Sequence, residues 1–135
     1  MPTINTCEEA IGLLEQVVAE FGEDYVYEYP DPLHPVRCYY VWNGQCSCLI
    51  GHALHRAGWS IEQLAPLDRG TPGVAGPALI TSAAELGLIS ELELSAEAAR
   101  TFGVAQGLQD DGSSWGVALA DARKTCEFIA TTRAR

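Results

Sequence analysis

The chain has 135 residues, 47% of them hydrophobic and 19% charged, which fits one compact domain over residues 1–135 and excludes a chain held unfolded by charge and low hydrophobicity. Eighteen Asp and Glu against eight Lys and Arg give a net charge of −10, and the imbalance lies at the front: residues 1–33 hold eight acids and no base, whereas residues 113–135 hold four bases and two acids. Such a front repels phosphate, so nucleic acid and anionic membrane surfaces are not the expected partners.

No run approaches the ~20 apolar residues of a membrane span, and the first residues mix apolar side chains with Glu, unlike a signal peptide. A cytoplasmic protein without membrane insertion is the expectation. In chain order, Ile4, Cys7, Ile11, Leu14, Val18 and Phe21 trace one face of an α-helix. Thr6 with Glu9 forms a capping-box pattern and Gly22 a stop, giving a helix over about 6–21.

Tyr25, Tyr27 and Tyr29 alternate with Val26 and Glu28, and a second β-type run, Val36 to Trp42, ends at Asn43-Gly44; together they predict a small β-hairpin. Pro30 to Pro35 is too rich in proline for a ladder and predicts a loop. Ser47 is the expected N-cap of a helix over 49–57 that stops at Gly58, and Ser60 with Gln63 caps a one-turn helix over 61–65, ended by Pro66. Residues 66–77, with three Gly and three Pro, read as a loop.

Pro77 opens a helix that reaches Leu86. Ser90 or Ser95 caps the next, with Ala98, Phe102, Ala105 and Leu108 on one side, and Gly112 breaks it. Ser113 or Ser114 then caps the longest helix, whose stripe is Trp115, Ala118, Leu119, Ala122, Cys126, Ile129 and Ala130. The expected fold is therefore α+β and mainly helical, a small β-hairpin packed on about five helices in one domain.

Five cysteines, Cys7, Cys38, Cys46, Cys48 and Cys126, are an odd number, and a reducing compartment predicts free thiols. Cys7 and Cys126 fall on apolar stripes and read as small core side chains. The other three share residues 34–55 with every histidine of the chain, His34, His52 and His55. At about 100° per residue, His52 and His55 fall within about 40° of Cys48, away from the main apolar face.

Imidazole and thiolate on one face suit zinc, with Cys46, Cys38 or His34 able to complete a set begun by Cys48, His52 and His55. The opposing reading makes His52 and His55 a solvated or partner-facing side of a short helix. It also makes Gly51 a gap where another backbone crosses closely. Cys48 near a helix N-terminus with a neighbouring His would be a nucleophile.

Asn43 to Cys48 looks like the active-site segment of papain-like cysteine proteases, and Ser114-Trp115-Gly116 like part of their later Asn-Ser-Trp-Gly segment. The chain is too short for that fold, has no His after His55, and carries Ser113 where the orienting Asn belongs. Leu49 to Leu64 is similar to the opening of phage-repressor helix-turn-helix domains, but its second helix has no Lys or Arg before Pro66, so a plain helical hairpin is expected. Asp110-Asp111-Gly112-Ser113-Ser114 reads as a turn between helices rather than a cation loop.

Three segments together, Tyr25-Val26-Tyr27, Cys46 to Leu54, and Gln109-Asp110-Asp111-Gly112 with Trp115-Gly116, resemble small uncharacterised proteins of actinobacteria and their bacteriophages. The resemblance implies a bacterial or phage accessory protein that acts on host proteins. It carries no catalytic residues.

The function expected from the sequence is that of a small acidic module for protein–protein interaction. Its contact residues are Tyr25, Tyr27, Tyr29 and Trp42, in a stretch that also holds Tyr39 and Tyr40. The alternative is a zinc-binding or Cys/His-dependent enzyme centred on Cys48 and His52. Oligomeric state, a homo-oligomer included, is left open.

Overall fold

The computed structural model describes residues 3–33, 39–69 and 93–133. His34, Cys38 and the helix expected over 77–86 lie outside them. The described elements are β1 (Thr3–Ile4), α1 (Cys7–Phe21), β2 (Val41–Trp42), β3 (Gln45–Cys46), α2 (Leu49–Ala57) and α3 (Ile61–Leu64) with a 3₁₀ turn (Ala65–Arg69), then β4 (Glu93–Leu94), α4 (Ala96–Asp110) and α5 (Trp115–Arg133). The architecture is the mainly helical α+β fold that the periodicities predict.

Each helix starts where a side chain takes up its unpaired N–H groups. Thr6 Oγ1 accepts from Glu9 N at 3.1 Å, Ser95 Oγ from Ala98 N at 3.1 Å and Ser114 Oγ from Val117 N at 3.2 Å. Ser60 and Gln63 form the full reciprocal box. For α2 the cap is Cys48, whose Sγ accepts from Gly51 N at 3.4 Å. Ser47, the expected cap, has its hydroxyl 2.5 Å from Tyr27 Oη instead.

Pro66 does not end the helical path at α3. It sits near the start of the 3₁₀ turn, where a missing N–H removes no bond.

The core is made where the apolar stripes of α1, α2, α4 and α5 meet. Leu14, Val17, Leu49, Ile50, Leu54, Phe102, Trp115 and Ala118 are among its buried members. Helices α4 and α5 form the most extensive pair, and α1 packs on α2, α4 and α5. The turn between α4 and α5 uses Gly112 at φ 91°, a value that L side chains rarely adopt.

Two departures concern strands. Residues 25–29 do not pair as a hairpin arm; Val26 makes an isolated antiparallel bridge to Ser114. The segment's carbonyls serve the start of α5 instead, since Trp115 N donates to Tyr25 O at 2.7 Å and Gly116 N to Glu23 O at 2.9 Å. The hairpin is the short β2–β3 pair across Asn43-Gly44, with φ 58° and 77° at its two turn residues, the left-handed pair that a two-residue turn matched to strand twist requires. In addition, β1 pairs in parallel with β4, and Ser95 N donates to Ile4 O at 3.0 Å, joining the chain's first strand to the start of α4.

Cys7 and Cys126 are not free thiols but a disulfide, with Cα atoms 5.4 Å apart and a separation of 119 positions along the chain. Both lie on the apolar stripes that the periodicity predicts and are buried. Because α1 crosses α5 where the two stripes meet, the sulfurs share one spot, which a count of cysteines along the chain does not reveal. Cys46 and Cys48 are free thiols.

Candidate functional site

The structure distributes Cys48, His52 and His55 to three different jobs. Cys48 is buried as the cap of α2, and burial holds its thiol far above the usual range, so it stays protonated at any physiological pH. His52 is half-buried, its ring 4.8 Å from that of Phe21 and 6.1 Å from that of Trp115. Desolvation lowers its pKa. His55 is exposed, with Nδ1 2.8 Å from Trp59 O.

Among the described residues, only Cys7, Glu8 and Cys126 bring three ligand atoms of the Cys, His and carboxylate kind within 4.8 Å of one another. Gly51 is where the expected close crossing occurs: an added Cβ would run into the Tyr40 carbonyl oxygen, with the Tyr40 C and Cα atoms 3.1 Å away.

The aromatic segment is occupied by internal contacts. Tyr27 is 5% exposed, and its hydroxyl meets Ser47 Oγ at 2.5 Å and accepts from Tyr39 N at 3.3 Å. Tyr25 is half-buried, edge-on to Trp115 with ring centroids 4.4 Å apart. Tyr29, also half-buried, donates to Asp110 O at 3.3 Å, and Trp42 lies 4.9 Å from the ring of Tyr39.

Around them runs a polar web that ties the loop to α4 and to the 3₁₀ turn. Tyr39 Oη donates to Asp31 at 2.8 Å, Tyr40 N to Asp68 at 2.6 Å, and Leu49 N to Gln109 Oε1 at 2.9 Å. Gln106 Nε2 donates to the buried Tyr40 Oη at 2.5 Å. Burial raises the Tyr40 pKa well above that of a free tyrosine, so the phenol stays neutral. Polar side chains that are this well engaged fix a loop conformation.

The acidic first helix is also largely engaged. Arg133 pairs with Glu8 at 2.6 Å, Arg123 with Glu15 at 2.7 Å, and Arg56 with Glu20. The opposite charges of the two ends of the chain therefore meet across the α1 surface. These exposed pairs add little stability each but leave α1 less of an open acidic face than its sequence suggests.

Of the exposed large apolar side chains among the described residues, which include Leu33 and Val117, Phe128 is the one that lines a groove, at the other end of the α4–α5 pair. A groove of about 330 Å³ runs between the start of α4 and the end of α5, lined by Ala96, Glu97, Arg100, Phe128, Ile129, Thr132 and Arg133. Phe128 is 63% exposed. Arg100 makes no ion pair or hydrogen bond among the described residues, whereas Arg133 spans Glu8 and Glu97. Glu97 in turn accepts the Cys7 N–H at 2.9 Å.

An apolar floor beside an uncommitted guanidinium is a surface for an apolar group next to an anion. The sequence held one usable signal for it: Phe128 falls off the Trp115–Ile129 stripe, on the side of α5 where a buried aromatic was not needed. Comparison with protein-family models, with curated proteins and with solved structures finds nothing that matches this chain.

Proposed function

We propose that this chain is a protein-interaction module that docks a segment of its partner in the α4–α5 groove, the docked segment presenting an apolar side chain beside a carboxylate. The observation that carries the reading is the exposed Phe128 next to Ile129 and Arg100 in one groove, with Arg100 unpaired among the described residues. In the setting implied by the sequence resemblance, the partner is a bacterial host protein. The aromatic segment supports the reading less directly, because Tyr27 is buried and Tyr25, Tyr29 and Trp42 are half-covered by intramolecular contacts.

Selection from a random peptide library displayed on phage, with the purified chain as bait, tests this. Peptides pairing an aliphatic or aromatic residue with Asp or Glu are expected. Their binding should fall by more than about tenfold, 1.4 kcal/mol, in Phe128→Asp and in Arg100→Glu, with the fold intact. Peptides that bind both variants as tightly as the parent, or that are lost only in Trp42→Ala, would defeat the groove reading.

A further inference from the structure

We propose that Cys7, Cys126 and Glu8 form a redox-gated site for a divalent metal of the zinc class, closed when the two sulfurs are bonded to each other and open when they are thiols. This is a different place from the Cys48, His52 and His55 face, and it does not depend on the docking groove. The three candidate ligand atoms lie within 4.8 Å of one another, with Glu8 Oε1 3.5 Å from Cys7 Sγ. Two sulfurs and a carboxylate oxygen are a donor set that a tetrahedral zinc accepts, with water as the fourth ligand.

The surroundings suit the charge that such a site would carry. Cys7 is the first residue of α1, a 15-residue helix, whose N-terminal dipole favours thiolate there. Glu8 lies on the exposed side of the same turn, with its carboxylate paired to Arg133 at 2.6 Å, so a metal would take a carboxylate oxygen that now faces a surface guanidinium. Arg133, which contacts both Glu8 and Glu97, offsets part of the negative charge of two thiolates. The sulfurs are shielded from solvent: Cys7 is fully buried and Cys126 is 6% exposed.

The chemistry balances in two steps. A dithiol reductant gives two electrons and two protons to the Cys7–Cys126 bond, leaving two thiols, and is itself oxidised to a disulfide. The metal ion then displaces the two thiol protons to solvent and binds both sulfurs and Glu8. One anchor of α1 to α5 replaces another. In a reducing compartment the metal would hold the helices where the disulfide holds them under oxidising conditions.

The test uses the full chain carrying Cys38→Ser and Cys46→Ser, reduced with a phosphine that is then removed without air. Cadmium is added as the probe, because its bonds to thiolate give a near-ultraviolet charge-transfer band. The expected result is one cadmium per reduced folded chain, none per oxidised chain, loss of the band in Cys126→Ser, and affinity about tenfold weaker in Glu8→Gln. Because Glu8 is exposed, its amide variant reports on ligation without disturbing the core. A reduced chain that unfolds or takes up no cadmium, equal uptake by the oxidised chain, or a band unchanged in Cys126→Ser would each overturn the proposal.

Discussion

The two ends of the α4–α5 pair differ in what their side chains are left to do. At one end, where residues 25–33 and 39–48 pack on the last turns of α4, the tyrosines are engaged: Tyr27 on Ser47, Tyr39 on Asp31, Tyr40 on Gln106 and Asp68. At the other end the residues are ordinary, yet Phe128 and Arg100 face solvent with no partner among the described residues. Aromatic enrichment therefore marks where the loop is fastened in this chain, although Val26 and Leu33 stay exposed there, and the groove with an exposed aromatic lies where the composition draws no attention.

If the fastened end depends on close fit, the largest single-residue effect should come from Gly51→Ala. The added methyl would run into the Tyr40 carbonyl, a backbone atom with no rotamer by which to give way. A loss of about 3 kcal/mol or more is expected, read as a drop in denaturant midpoint at unchanged slope. A stable Gly51→Ala would mean that residues 39–48 are free to shift, and the contrast between the ends would weaken.

Next in size is a pair of substitutions that should separate the ends. Tyr27→Phe removes a hydroxyl that meets Ser47 Oγ and Tyr39 N, and should cost about 1–2 kcal/mol. Phe128→Asp, on the exposed side of α5, should change stability by no more than about 0.5 kcal/mol while abolishing peptide binding. Equal stability losses in the two variants would show that Phe128 is packed and not presented.

Much of the fold was legible in the sequence where its signals are local. The caps at Thr6 and Ser60, the Asn43-Gly44 turn and the Gly112 break are set by residues within a few positions of one another or by a single φ value, and Ser95 and Ser114 are each one of the two caps the pattern offers. The apolar stripes named much of the core, Ile4, Leu14, Val18, Phe102, Ala105, Trp115, Ala118, Leu119 and Ala122 among it, but they also named Phe21, which is exposed, and passed over the buried Ala10 and Val17.

The rest was set by distance in space. The Cys7–Cys126 bond and the β1–β4 pair join the chain's front to its later helices, and strands of two residues are too short to show alternation. The tyrosine run has the period of a strand, but its carbonyls are drawn off by the first turn of α5, a competition that no local pattern encodes. The metal-ligating face expected at Cys48, His52 and His55 rested on angle alone. Angle places side chains on a helix and says nothing of what packs on it.

The smallest expected effect sharpens that last point. Burial beside Phe21 and Trp115 lowers the His52 pKa relative to the unfolded chain, so the unfolded state binds the proton more readily. The stability that His52 contributes is then complete above its unfolded pKa of about 6.5 and is lost as pH falls below that value through the lower native pKa. His52→Gln removes the titrating group, so the difference in denaturant midpoint between parent and variant should narrow or change sign between pH 7.5 and 5.5. A parent whose midpoint followed that of His52→Gln in parallel across this range would place the imidazole in water, free of the rings of Phe21 and Trp115. His52 would then belong with the solvent-facing groups of the groove end, and the division between the fastened and the available halves of the molecule would have to be redrawn through α2.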